Sequence, residues 1–321
     1  MIIKILRFLL FLLILNFSNS LTTFANWKDE VKELNVGLLG GENEADRLKN
    51  NECWRKYLEK KLNIPINFFP ASDYAGVIHG LLGKTLDYAS IGASGYAAIY
   101  IEQPNAVEPL ITIRELDGSI GYKSAMYVRK DSGIYSIEDM EGKSIAWADP
   151  NSTSGYLVPF FELTKNGINP NIFFERMGFS GGHEQGVIAV VNKQYDAGVT
   201  WVSGTGKAED GFDRGMLKNM MKKGLLDIDD LRVIWQSELI INGPHVVRKD
   251  LPESLKEELK YHNISLYYED KVCFETITSG LSLGYVSISH DNYKNVVEML
   301  SLIHISEPTR PERIGVGRVW L

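Results

Sequence analysis

Residues 149–159 read Asp-Pro-Asn-Ser-Thr-Ser-Gly-Tyr-Leu-Val-Pro, with three consecutive hydroxyl side chains, Ser152, Thr153 and Ser154, ahead of Gly155. The run follows Ile145-Ala146-Trp147-Ala148, which reads as the end of a strand over 144–148. It opens a stretch that reads as a helix over 155–166, with Gly167 as its stop. The first N–H groups of a helix have no intrahelical acceptor. Those N–H groups, the helix dipole and the three hydroxyls all favour a tetrahedral anion. Gly155 leaves room for a ligand to approach the backbone. A plain N-cap needs only one Ser.

Three other segments share this layout of small or polar residues before an apolar helix. Gly181-Gly182-His183-Glu184 precedes Val187–Val191 and offers the His183 ring, although a lone His at such a place serves equally well as a cap. Asp73-Tyr74-Ala75-Gly76 offers the Tyr74 hydroxyl, and Gly92-Ala93-Ser94-Gly95-Tyr96 offers Ser94 and Tyr96. In doubly wound sheets, ligands sit beyond the carboxyl ends of the strands, where helix starts converge.

The elements that would position these segments alternate. Strands are expected over 34–39, 64–68, 88–91, 106–114 and 120–128, with helices over 44–62, 73–82 and 95–101. A second series starts near Ser132. Ser136-Ile137-Glu138-Asp139 has the form of a capping box, strands are expected over 144–148, 173–179 and 196–202, and a helix over 183–193. Residues 213–223 and 231–235 complete that series. A strand over 244–248 and a helix over 252–261, with Pro252 at its start, follow. Strand–helix alternation twice over implies two α/β domains. The expected division is 27–118 plus 240–300 for a discontinuous first domain and 119–239 for the second, with crossings near 118–130 and 236–243.

The chain has 321 residues, 44% of them hydrophobic and 23% charged, which suits two globular domains. Lys4 and Arg7, the apolar run Phe8–Leu15 and a polar stretch ending at Ala25 form the tripartite pattern of a cleaved export signal over 1–25. The run is too short to span a bilayer. Its removal takes out two cations and no carboxylate, so the net charge goes from −7 to −9. Such a protein is a poor partner for nucleic acid or anionic membranes, yet a few local donors can still hold an anion. An exported chain could join Cys53 to Cys273, and the sequence leaves this open. Residues 301–321 turn basic, carry two prolines and show no amphipathic period from 303 on; they read as a non-native or disordered tail.

Catalytic motifs fall short. Gly92-Ala93-Ser94-Gly95-Tyr96 lacks the last Gly of a nucleophile elbow. Gly83-Lys84-Thr85 ends like a phosphate-binding loop, but Ile78 stands where its first Gly belongs. Gly204-x-Gly206 lacks a third Gly, and His183-Glu184 lacks the second His of a zinc helix. No catalytic residue, metal site or cofactor is expected.

The runs Asp73-Tyr-Ala-Gly76, Asp149-Pro-Asn-Ser-Thr-Ser-Gly155, Gly182-His183-Glu184 and Asn192-Lys-Gln-Tyr-Asp196 resemble the periplasmic phosphonate-binding component of ABC importers, in order over about 34–300. The resemblance implies a type II periplasmic binding fold that closes by a hinge over its ligand. It implies that Ser152, Thr153 and Ser154 hold the phosphonate oxygens, that Tyr74 donates to them and that His183 lines the pocket. It implies a permease and an ATPase as partners, and a monomer in solution. The pattern also departs from the family. Members that bind aminoalkyl phosphonates have Tyr where this chain has Ile91, and two carboxylates where it has Ser203 and Gly243. Trp201 is expected to face the cleft in their stead, and Tyr96 to replace the missing hydroxyl. The ligand is then a phosphonate, a phosphite or an organic phosphate. A sulfonate-type anion on the same fold and a periplasmic hydrolase are the alternatives.

Overall fold

The computed structural model describes residues 26–306; the expected export signal and residues 307–321 of the expected tail lie outside them. Residues 26–32 contribute one short helix, Trp27–Glu30, begun by the Asn26 side chain accepting from the Lys28 N–H. The rest of the chain is built on two mixed sheets.

The first sheet has the order β13-β4-β12-β3-β1-β2. Its strands are β1 (Leu34–Leu38), β2 (Ile66–Pro70), β3 (Tyr88–Ser90), β4 (Val107–Ile113), β12 (His245–Arg248) and β13 (Tyr285–Ser287). β2-β1-β3 are parallel, while β12 runs antiparallel to both β3 and β4. The second sheet has the order β10-β5-β8-β6-β7, with β11 (Ile240–Ile241) on β5 and β9 (Arg214–Gly215) on β8. Here β5 is Gly121–Arg129, β6 Ser144–Trp147, β7 Arg176–Phe179, β8 Ala197–Ser203 and β10 Leu231–Gln236. β7-β6-β8 are parallel and β5 is antiparallel to β8, so the pattern of the first sheet recurs.

The cores follow from periodicity. Along β5 alternate side chains point to opposite faces. Met126 and Val128 join Trp147, Phe160 and Phe174 on one face, while Ala125 and Tyr127 join Val187, Phe212 and Leu217 on the other. In the first sheet Ala89 and Val246 pack with Val77, Leu81, Ile99 and Leu300. Helix Glu44–Leu62 has the expected bounds and buries Trp54, Leu58 and Leu62. Trp54 Nε1 donates to Asn263 Oδ1 at 2.9 Å, and Cys53 is disulfide-bonded to Cys273 beside it.

Several expected elements take other bounds for local reasons. The strand expected from Phe173 begins only at Arg176, because Asn169 caps a short helix Pro170–Phe173. Of the expected capping box at Ser136 only the return half forms: the Asp139 carboxylate accepts from the Ser136 N–H, and from that of Tyr135, and a single turn Glu138–Met140 follows. Helix Glu253–Glu269 runs past Tyr261 and buries Asn263 and Leu266. Helix Lys294–Ser306 continues into the stretch where no period was expected.

The chain passes between the sheets twice, over 114–120 and 237–244. The two passages lie side by side, because Ile240 and Ile241 pair with Tyr122 and Gly121.

Candidate functional site

Helix starts follow β2, β3, β6 and β7, and they face a cleft of about 340 Å³. Ser152, Thr153, Ser154, Tyr74, His183 and Trp201 all line it, and so does Tyr122.

The segment 152–157 does not open directly into an α-helix. Thr153–Leu157 forms one wide turn in which the Leu157 N–H donates to the Ser152 carbonyl at 3.0 Å; the α-helix proper is Val158–Lys165. Such wide turns recur at functional sites. The Ser152 hydroxyl accepts from the Gly155 N–H at 3.1 Å. A Cβ on Gly155 would stand 2.5 Å from the Ala148 Cβ and 2.9 Å from His183 Cε1, so packing alone demands glycine there. The Ser124 hydroxyl donates to the Ser154 carbonyl at 2.6 Å and pins the loop to β5.

His183 opens helix His183–Val191 and is buried. Its Nε2 lies 3.2 Å from Ser152 Oγ and its Nδ1 3.2 Å from Thr200 Oγ1. Burial pushes its pKa down to about 4, partly offset by a hydrogen bond to the Val199 backbone, so the ring is neutral at pH 7 and offers one donor and one acceptor. Tyr74 lines the cleft beside Ser152, and burial raises the pKa of its hydroxyl, so it stays protonated. The backbone N–H of Tyr74 acts to lower the pKa of the Asp149 carboxylate, which burial raises, so the helix start at 74 and the loop that carries the hydroxyls are neighbours.

Tyr122 has no motif to mark it. Its hydroxyl lies near the side chains of Ser154 and Thr153, which act to lower its pKa, and burial raises it. Its only trace in the sequence is its place on the strand that leads from one sheet to the other.

Ser94 and Tyr96 have other surroundings. The Ser94 N–H donates to Thr153 Oγ1 at 2.9 Å and the Ser94 hydroxyl donates to the Asn151 carbonyl at 2.5 Å, so Ser94 supports the loop from behind the cleft wall. Tyr96 turns away: its hydroxyl is 2.9 Å from His290 Nδ1 and its ring packs on Tyr293. Ser203 lies outside the cleft lining, whereas Gly243 is in it, with Ile91 next to it. The carboxylate of Glu42 does line the cleft; burial raises its pKa, while Lys223 and Arg47 act to lower it. Lys223 Nζ is 2.9 Å from both Asp46 and Glu184, an ion-pair bridge between helices that belong to different sheets.

In the same lining, the Trp201 ring stands 5.7 Å from the guanidinium of Arg214, which is buried against Glu115. Among the described residues no cluster of metal-ligating side chains is found.

Two α/β halves, each on its own mixed sheet, linked by two adjacent passages of chain and enclosing a cleft lined by helix starts, define a solute-binding protein of the type II periplasmic binding fold. The chain matches the model of the phosphonate periplasmic substrate-binding proteins of ABC transporters over residues 37–293, and it belongs to that family. It is 31% identical over 266 residues to the phosphonates-binding periplasmic protein of Escherichia coli, covering 81% of this chain and 74% of that one. It is 26% identical over 278 residues to a phosphate-import protein of Mycolicibacterium smegmatis, covering 82% and 83%. The fold is also that of a Prochlorococcus marinus protein solved with methylphosphonate, at a TM-score of 0.71 and 22% identity over 85% of this chain and 98% of that one.

Proposed function

We propose that this protein captures a phosphonate, or a closely related phosphorus oxyanion compound, in the periplasm and delivers it to the permease and ATPase of an ABC importer. The observation that carries this reading is the convergence of Ser152, Thr153 and Ser154 with the hydroxyls of Tyr74 and Tyr122 on one wall of the cleft. Neutral donors at a helix start suit a PO₃ head. Its export would follow cleavage of residues 1–25, and it would act as a monomer. The moving parts would be 27–118 with 240–300 against 119–239, turning about the paired strands at 121–122 and 240–241.

A hydrolase is the second reading, and the Ser152–His183 contact is what favours it. Against it stands the other side of that ring, which faces Thr200 and the Val199 backbone; the orienting carboxylate of a catalytic triad is not among its partners.

Thermal unfolding in the presence of methylphosphonate, phosphite, phosphate and methanesulfonate tests the reading. A tight ligand at 100 to 1,000 times its Kd stabilises by about 3–4 kcal/mol. The phosphorus compounds raise Tm and methanesulfonate does not. The opposite order would overturn the assignment, and release of product from a chromogenic phosphonate ester would favour the hydrolase.

A further inference from the structure

Two loops that follow strands of different sheets touch at one edge of the cleft. Gly41 comes after β1 and lines the cleft; Gly182 comes after β7 and precedes His183, which lines it too. Of the three atoms nearest to a Cβ built on Gly182, two are the Cα and carbonyl oxygen of Gly41, and both would overlap it. The third is Oε1 at the end of the flexible Gln185 side chain. Gly182 has φ 164°, extended backbone that any residue adopts. The nearest rigid obstacle to a side chain at 182 is therefore the backbone of the other half, not the conformation of its own. Gly41 differs, since its φ of +95° itself favours glycine.

Beside this contact carboxylates gather from both halves. Glu42 and Asp46 belong to the first, Glu184 to the second. Lys223, at the end of helix Met216–Lys222, lies 2.9 Å from Asp46 Oδ2 and 2.9 Å from Glu184 Oε2. Burial raises the pKa of Glu42; Lys223 acts to lower it and Glu184 to raise it further, so this carboxylate senses both residues of the other half. Arg47 donates to the carbonyls of Leu38, Leu39 and Ala71 and is thus held within the first half. Like charges brought together in a partly desolvated place repel unless a cation stands among them. Lys223 is the cation that the second half brings to this edge.

We propose that Gly182 and Lys223 form a clasp that sets how tightly the ligand is held without touching it. Gly182 lets the loop after β7 settle on Gly41 as the two halves close, and Lys223 joins Asp46 while offsetting the repulsion of Glu184 by Glu42 and Asp46. This rests on the reading above that an anion is captured between two moving halves. Both are positioning residues.

Calorimetry of the full protein with methylphosphonate, together with Tm of the protein without ligand, tests it in Gly182→Ala and Asp46→Asn. Gly182→Ala weakens Kd by about tenfold or more, as overpacking at a close contact does, while Tm without ligand stays within about 2 °C of wild type. Asp46→Asn weakens Kd by about threefold. The sign is diagnostic: if the cluster acted only through its field, loss of a carboxylate would tighten binding of an anion. In a Lys223→Met background the same Asp46→Asn change tightens binding, because a carboxylate without its cation only repels. Unchanged or tighter binding by Gly182→Ala or Asp46→Asn overturns the proposal. So does a loss of affinity matched by a large fall in Tm without ligand, which would make the contact part of the resting fold. If Lys223→Met does not fold, the other two variants decide. A wild-type protein that binds none of methylphosphonate, phosphite and phosphate would instead remove the phosphorus reading itself, and this proposal with it.

Discussion

Around Ser152 the polar groups pair with one another: Ser152 with His183 and the Gly155 N–H, Thr153 with Ser94, and the Ser154 carbonyl with Ser124. Around Arg214, in the same cleft lining, two charged donors have no partner. The first region is a set of dipoles fixed in place by a loop that packing determines closely, and ordering them costs little when an anion arrives. The second holds a desolvated charge, and its structure is incomplete in hydrogen-bond terms. The two regions thus differ in their physics, preorganised dipoles in one and a buried, partly unpaired ion in the other.

The contrast can be broken most forcefully around Ser152. Ser152→Ala with Thr153→Ala removes two donors to an anion, each about 1.5–3 kcal/mol. Calorimetry with methylphosphonate should show Kd weakened by 100-fold or more, on the order of 3–6 kcal/mol. Unchanged affinity would move the head group elsewhere.

Acid probes the cleft wall at two points, because it has two buried histidines. His183 is held at about 4, and His245, beside Tyr88 and Trp54, at about 3, in both cases by burial. In the unfolded chain each would titrate near 6.5. The unfolded state therefore binds more protons below that pH, and stability is lost as pH falls from about 6.5 towards 4. The shift at His183 amounts to about 3 kcal/mol at most. Tm measured between pH 7 and 4.5 should fall, and His183→Gln should flatten part of the slope. A slope that the substitution leaves unchanged would mean the ring is not held neutral.

The smallest effects separate Tyr122 from Tyr96. Tyr122→Phe should weaken methylphosphonate binding by about tenfold, the value of one hydrogen bond to a charged group. Tyr96→Phe should change it less than about twofold, because its hydroxyl serves His290. Equal effects from the two would erase the distinction the structure draws between them.

What was legible in the sequence was local. Helix 44–62 and the alternation along β5 are set by neighbours within a few residues, and so is the hydroxyl run at 152–154 with the N–H groups it exposes. What escaped depended on distant partners. Tyr96 was expected at the cleft, but its hydrogen-bond partner is His290, 194 residues away. Arg214 gave no signal because Glu115 lies 99 residues earlier. Tyr122 looked like any strand tyrosine until the strand was seen to pass the loop at 153–154. Even the local reading of a helix from Gly155 missed the wide turn, since residue propensities do not distinguish a hydrogen bond to the fifth residue back from one to the fourth.

The Cys53–Cys273 bond has a consequence for how the molecule is made. The sequence contains only these two cysteines, 220 residues apart. Closing so long a loop takes about 5 kcal/mol of chain entropy from the unfolded state. Oxidation within one chain has a single outcome, so an oxidant is enough and no isomerase has scrambled pairs to correct. Strands β12 and β13 come from the last third of the chain, so a polypeptide emerging N-terminus first can finish its second sheet while the first still waits for its central strand. Until Cys273 arrives, Cys53 can form a disulfide only with another molecule.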